Sequence, residues 1–397
     1  MRQNIEGSRK LTGIAAEMAR ITGVDIKRFD YPLIGEFKFF KSGARPSILV
    51  RLTDEDGVQG WGQSVPVETW TYETVESVES TLQHYLAPAI LGADPSDLAD
   101  VHARMERAIR PSFSVGQPLC KAGIDLACYD LWGKQTGKPV SDLLGGARKT
   151  QIKLSWTIQS PMLAGAERQL EQGRAFGYDS FNIKLGAPQT PAYDLELVST
   201  VMTFAPHGFH WCDANTNYDI DTALTIAPKL ADLGLRGLES PLPPNQIRAY
   251  QTLKRQGALP ILMDEGIVSP VEVAEFIALE MFDGIAMKIA RCGGLWNATR
   301  IARLLQENGL LLFASGLTDP ELSMAATAHF FAWAGLDLPA AVNGPQYLVD
   351  RGTLDPSFRP RGDSLQIPTG PGLGIELTDE AQSAMTNVAA AREALTA

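Results

Sequence analysis

The chain has 397 residues, 45% hydrophobic and 20% charged, with a formal net charge of −11. This composition is that of a globular protein large enough for two domains or for a barrel with an appended module. The negative charge excludes a broad nucleic-acid or anionic-membrane surface, because such partners require a basic face. The expected partner is a small molecule.

Residues 21–67 carry strand-like runs, "ITGVDIKRFDYPL" and "PSILVRLTDEDGVQGWGQSV", the second broken by the turn Asp54-Glu55-Asp56-Gly57. Residues 72–146 turn helical, and "LCKAGIDLACYDLWGKQTG" places Leu119, Gly123, Leu126, Tyr129 and Trp132 in one stripe. Strands followed by helices predict an α+β module.

From residue 151 short apolar strands alternate with amphipathic helices. The predicted strands are "IKLSWTI", "SFNIKLG", "FHWCDAN", "LRGLESP", "ILMDEG", "GIAMKIA", "LLLFAS" and "AAVNGP". Ser269-Pro270-Val271-Glu272 reads as a capping box with proline at the first helical position. An eightfold strand and helix alternation fits a β/α barrel, although a doubly wound open sheet shares its local grammar.

Five consecutive strands each carry one charged residue near their C-terminal end: Lys184, Asp213, Glu239, Asp264 and Lys288. The intervals are 29, 26, 25 and 24 residues, each about one βα unit. Equivalent positions on neighbouring parallel strands are buried, where charge is costly unless paired or bound to metal. An open sheet would spread these residues along a line, whereas a barrel gathers them at its C-terminal mouth.

Three carboxylates from successive strands supply hard oxygen ligands suited to Mg²⁺. The two lysines flank this trio in strand order. A lysine beside a divalent cation and another lysine has its charged form disfavoured and becomes a base near neutral pH. The set suggests removal of a proton next to a carboxylate, with the metal stabilising the resulting enediolate. The bland alternative is a dry network of buried salt bridges, a costly way to hold a barrel together.

The motifs "CKAGIDLACYDLWGKQTGKPVSDLLGG", "FNIKLG", "CDANTNY", "LESPLPP", "LMDEG" and "MKIARCGG" resemble the enolase superfamily in its muconate lactonizing enzyme subgroup, within the mandelate racemase/muconate lactonizing enzyme family. The resemblance covers residues 20–380. It implies an α/β fold, a modified TIM barrel, (β/α)7β, with an N-terminal α+β capping domain. The expected organisation is a disordered extension at 1–17, a capping domain at 18–150, the catalytic barrel at 151–345 and a segment at 346–397 returning to the cap. By resemblance Asp213, Glu239 and Asp264 bind one Mg²⁺ per subunit, with Mn²⁺ as a substitute, and Lys184 and Lys288 are acid/base groups on opposite faces of the substrate.

The family pattern has Lys-x-Lys on the second barrel strand, and this chain has Asn182-Ile183-Lys184. With a strand period of two, Asn182 points into the barrel beside Lys184 and contributes no charge there. "LLLFASGLTD" lacks the histidine of the mandelate racemase subgroup, which favours the two-lysine arrangement. Asp319 precedes His329 by ten residues, where the related pattern carries a glutamate.

Asn215 shares a face with Asp213 and is a candidate to support the metal. Glu265 could orient a lysine if the strand end bends. In the cap, "GEFKFFKSGARP" offers Lys38, Lys41 and Arg45 to close over a small acid, against the plain alternative of solvated loop cations. Trp70, Tyr72 and Trp156 are candidate pocket walls, with a place in the core as the equal alternative. His207 and His210 precede the third barrel strand and belong at the barrel's bottom; His84, His102 and His329 read as packing or surface residues.

Cys120, Cys128, Cys212 and Cys292 form no CxxC pair, which fits a reducing cytoplasm. The expected protein is a cytoplasmic homo-oligomer, with no nucleic-acid or membrane partner, that abstracts the α-proton of a small carboxylate. Lysines on both faces favour a racemase or epimerase. Alternatives are a dehydratase of a hydroxy acid, either a sugar acid or hydroxyproline-like, a cycloisomerase, or a metal-binding barrel without catalysis.

Overall fold

The computed structural model describes residues 18–34, 37, 39–40, 43–111 and 115–390. The extension expected over 1–17 lies outside the described residues, as do Lys38 and Lys41.

The chain opens with an antiparallel meander of β1 (Ile21–Arg28), β2 (Ile48–Asp54) and β3 (Gln59–Ser64). The Asp54 carboxylate sets the turn between β2 and β3 by accepting from the amides of Asp56 at 2.9 Å and Val58 at 2.8 Å. Helices α1 (Leu98–Ala108) and α2 (Pro118–Thr136) follow. Most of α2 is buried, because it lies between this sheet and the rest of the chain. Its close approach to β3 requires Gly62, where a Cβ would stand 2.0 Å from the Gly123 carbonyl.

Seven parallel strands then run in chain order: β4 (Trp156–Ile158), β5 (Phe181–Lys184), β6 (His210–Asp213), β7 (Leu238–Glu239), β8 (Ile261–Met263), β9 (Gly284–Met287) and β10 (Leu311–Ala314). The eighth predicted strand is reduced to two parallel bridges. Ala340 pairs with Leu154 and Ala341 with Ser315, which closes the gap between the first and seventh strands. The expected "IKLSWTI" strand also divides: Gln151–Lys153 pairs antiparallel with Ser364–Gln366, and only Trp156–Ile158 enters the barrel sheet.

Helices α3 (Leu163–Ala175), α4 (Pro191–Phe204), α5 (Ile220–Asp232), α6 (Ile247–Gln256), α7 (Pro270–Ala278), α8 (Leu295–Glu307) and α9 (Glu321–Ala334) connect the strands or follow them. At the start of α7 the cap differs from a full capping box: the Ser269 hydroxyl accepts from the Val271 amide at 3.1 Å and contacts the Glu272 carboxylate. The barrel interior is filled by Trp211, Leu262, Ala286, Phe313 and Ala341. A last strand, β11 (Thr386–Ala390), pairs antiparallel with β1, so the C-terminal segment completes the first sheet. The α/β architecture is a modified (β/α)7β barrel beneath an N-terminal α+β cap.

Candidate active site

The strand register sets the height of the charged residues. Lys184 pairs with Asp213 and Asp213 with Glu239 along adjacent strands, while Asp264 and Lys288 directly follow β8 and β9. All five are buried. Lys184 Nζ lies 2.5 Å from Asp213 Oδ2, and Lys288 Nζ lies 2.6 Å from Asp264 Oδ2 and 3.5 Å from Glu239 Oε1.

The carboxylates are held from behind. Asn215, at φ 44°, donates its backbone amide to Asp213 Oδ1 at 2.8 Å and its side-chain amide to Asp213 Oδ2 at 2.9 Å. The same side chain reaches Glu265 Oε1 at 3.2 Å, so Glu265 turns toward the cluster and orients Asn215 rather than a lysine. Trp211 Nε1 donates to Glu239 Oε2 at 2.9 Å, leaving Oε1 without a hydrogen-bond partner. Burial, with Asp213 alongside, pushes the Glu239 carboxyl up to about 8. Burial and the neighbouring Asp264 and Asp213 also push Glu265 up. Burial disfavours the charge on Lys288, but Asp264 and Glu239 more than offset it, and its pKa is raised.

A further buried cation joins the cluster. Arg291 is buried, its Nε lies 2.9 Å from Asp264 Oδ1, and its Nη1 donates to the Trp70 carbonyl at 3.4 Å. Its signal in the sequence was the charge balance: Lys184 and Lys288 leave Asp213, Glu239 and Asp264 one cation short, and "KIARCGG" supplies it.

These residues fit a divalent cation. Three carboxylates on adjacent strands converge at the mouth, and one buried oxygen has no hydrogen-bond partner. Among the described residues no three acidic, histidine or cysteine side chains are already gathered as a metal cage. The carboxylates turn instead to Lys184, Lys288 and Arg291, which supply the positive charge.

The cap roofs this mouth with aromatic rings. Lys288 Nζ lies 5.5 Å from the centroid of Trp70, which stacks on Phe39 at 4.2 Å. Phe37 packs between Trp70 and Tyr347. A cavity of about 630 Å³ reaches Lys184 between Leu33, Phe37 and Phe40 on one side and Gln159 and Gln189 on the other.

Similarity to known proteins places this arrangement. Residues 39–145 match the mandelate racemase/muconate lactonizing enzyme N-terminal domain, and residues 162–381 match the enolase C-terminal domain-like family. The chain belongs to the mandelate racemase/muconate lactonizing enzyme family of the enolase superfamily. It is 27% identical to muconate cycloisomerase 1 of Rhodococcus opacus over 92% of this chain and 98% of that one. Identity to a chloromuconate cycloisomerase of Cupriavidus necator is 30%, over 80% of this chain and 85% of the relative. The solved N-succinyl Arg/Lys racemase of Bacillus cereus superposes with a TM-score of 0.85 at 25% identity, covering 92% and 98% of the two chains. The family's matched relatives are thus enzymes, both cycloisomerases and a racemase.

Several expected contacts are placed elsewhere in this family member. Trp156 does not wall the cavity that reaches Lys184: strand alternation turns Thr157 inward and Trp156 outward against α3, where a Cβ at Gly173 would meet its ring at 2.9 Å. It lines a separate cavity of about 320 Å³ with Phe176, Tyr178 and Arg359. Tyr72 is 55% exposed and is not among the residues that line the cavity reaching Lys184. Arg45 is no solvated loop cation, since it is fully buried and donates to the carbonyls of Val65, Pro66, Pro46 and Leu317 at 2.6–3.1 Å. Asp319 is buried and accepts from the Leu317 amide and the Ser323 hydroxyl, each at 3.2 Å. Burial pushes its carboxyl up, against the opposing charge of Arg45. His210 lies at the start of β6, bonded to the Phe181 amide and the Ala205 carbonyl. Asn182 is fully buried on the inward face of β5, and neither of its amide atoms has a partner.

Proposed function

We propose that this enzyme abstracts the α-proton of a small carboxylate beside a divalent cation, Mg²⁺, and returns a proton to the opposite face, giving racemisation or epimerisation. The observation that carries the reading is the symmetric placement of Lys184 and Lys288 at the two ends of the Asp213, Glu239 and Asp264 series.

In this reading Asp213, Glu239 and Asp264 hold the cation. When bound, Mg²⁺ supplies positive charge that stabilises the second negative charge developing on the substrate carboxylate. Asp213 and Asp264 also hold the ammonium groups of Lys184 and Lys288, so the carboxylates that would ligate the cation are the ones that position both lysines. Burial favours the neutral form of Lys288 and the facing Asp264 and Glu239 its charged form, so that lysine would become a base if the cation engaged those carboxylates. One neutral lysine takes the α-proton, and the protonated lysine opposite delivers one. Trp70, Phe37 and Phe40 exclude water from this exchange. Asn215 and Trp211 keep the carboxylates in place. The buried, unpaired cysteines fit a reducing cytoplasm.

The test is α-proton exchange in D₂O across a library of carboxylates with and without Mg²⁺. Mg²⁺-dependent exchange with at least one acid is expected. Failure of every acid, with Lys184→Ala and Lys288→Ala indistinguishable from wild type, would overturn the reading in favour of a non-catalytic barrel.

A further inference from the structure

The floor beneath the charged cluster is apolar on one side and polar on the other. Trp211, Leu262, Ala286 and Phe313 fill it beneath the carboxylates and Lys288. Beneath Lys184 the register instead sets Asn182 between Thr157 on β4 and Trp211 on β6. Asn343, just past the closing pair Ala340 and Ala341, donates its side-chain amide to Thr157 Oγ1 at 3.3 Å.

This polar side is unfinished. Asn182 is 0% exposed and both its Oδ1 and Nδ2 lack partners; Asn343 is 5% exposed and its Oδ1 lacks one. Buried amides are normally satisfied, so orphans grouped on the inward face beneath Lys184 call for a partner. The unmet demand is for two acceptor oxygens and one amino group. A carboxylate only accepts and would leave both oxygens unpaired, whereas a hydroxyl or an amino N–H can donate to them.

Asn182 lies two residues before Lys184 on the same strand face, a separation of about 7 Å along the strand. A group held by Asn182 therefore lies beneath the Lys184 side chain, on the same inward face of the barrel. We infer that Asn182 and Asn343 form a specificity site for a hydroxyl or amino group carried on the reacting carbon or the carbon next to it, so that the substrates are hydroxy- or amino-carboxylates. The inference rests on the proposed role of Lys184, and it deepens that reading by naming the substrate class. Asn182 acts here as a specificity residue through a contact that accepts hydrogen bonds, which an ammonium group in its place could not do.

The experiment measures binding and does not require turnover. Full-length protein with Mg²⁺ is titrated with matched pairs: lactate against 2-methoxypropionate, 3-phenyllactate against its methyl ether, and 2-amino acids against their deamino counterparts. Affinity is read from the shift in melting temperature. In at least one pair the donor-bearing acid is expected to bind the wild type about tenfold more tightly, in line with the cost of leaving buried acceptors unpaired. Asn182→Leu should lose that preference and Asn182→Asp, which keeps the acceptor, should retain it. Asn343→Leu supplies the same readout should leucine at 182 not fold. If the wild type distinguishes no pair, or if the preference survives in Asn182→Leu, the inference is wrong. Exchange of α-protons is scored separately: a binding preference without exchange removes the reaction and leaves the specificity site, while exchange indifferent to the hydroxyl or amino group does the reverse.

Discussion

Arg291 and Asp264 form a buried pair, with Nε 2.9 Å from Oδ1, and the same guanidinium reaches the Trp70 carbonyl. One side chain thus ties a carboxylate of the barrel mouth to the aromatic roof contributed by the cap. Arg291→Met leaves Asp264 with Lys288 alone and is expected to cost about 3 kcal/mol of stability, as removal of one buried partner does. Arg291→Lys should recover only part of this, because an ammonium lacks the guanidinium's fork of donors. Urea denaturation of the three proteins checks both statements.

The Glu239 carboxyl is pushed up to about 8 by burial and by Asp213, and its Oε1 has no hydrogen-bond partner, with Lys288 Nζ 3.5 Å away. Glu239→Gln keeps an oxygen for Trp211 Nε1 and removes the charge. The variant without metal should therefore be at least as stable as wild type. Its Mg²⁺ affinity should fall about tenfold or more. Melting curves across an MgCl₂ titration measure both, since a cation that binds only the folded state raises the midpoint.

Glu73 anchors the segment that carries Trp70 to the start of α2, accepting from the Leu119 amide at 2.7 Å and the Cys120 amide at 2.9 Å. Burial pushes its carboxyl up to about 7, against these two bonds, which favour the ionised form. Because the folded value lies above the unfolded one, the folded state binds more protons in between. Its contribution to stability is complete below the unfolded value of 4.5 and is lost as pH rises through about 7. The loss is on the order of 3 kcal/mol. Glu73→Gln lacks this titration, so the stability gap between wild type and variant should narrow from pH 4.5 to pH 8 in urea melts. A constant gap would contradict the assignment.

The glycine pair after Lys288 serves docking of cap and barrel. Gly294, at φ 107°, lies so close to α2 that a Cβ would stand 2.1 Å from Asp125 Oδ1. That carboxylate accepts from the Leu295 amide at the start of α8 and from His102 Nε2 at 2.8 Å. Gly294→Ala should destabilise by about 3 kcal/mol through both strain and loss of this cap. Chemical denaturation tests it directly.

The charged cluster was legible because one βα unit has a nearly fixed length, so regular intervals between Lys184, Asp213, Glu239, Asp264 and Lys288 imply equal heights in the barrel. The inward placement of Asn182 followed from the two-residue strand period, and the same period applied to "SWTI" would have turned Trp156 outward. Arg291 was legible only as the cation that the charge balance lacked, and the saturation of Arg45 was not legible at all. Whether a cation is free or saturated depends on carbonyls and carboxylates from distant segments, such as Leu317 and Pro66 around Arg45. The return of residues 386–390 to β1 came from family resemblance rather than from any pattern in "TNVAA", and Ala340-Ala341 kept only bridges because the closing strand is so short.

The central claim is that Lys184 and Lys288 serve opposite faces of one substrate. The most direct measurement is α-proton exchange in D₂O with Mg²⁺, followed separately for each enantiomer, in wild type, Lys184→Ala and Lys288→Ala. Wild type is expected to exchange and interconvert both enantiomers, and neither variant to interconvert them. Each variant should lose exchange with a different enantiomer. Loss of the same enantiomer in both variants, or interconversion surviving in either, would contradict the account.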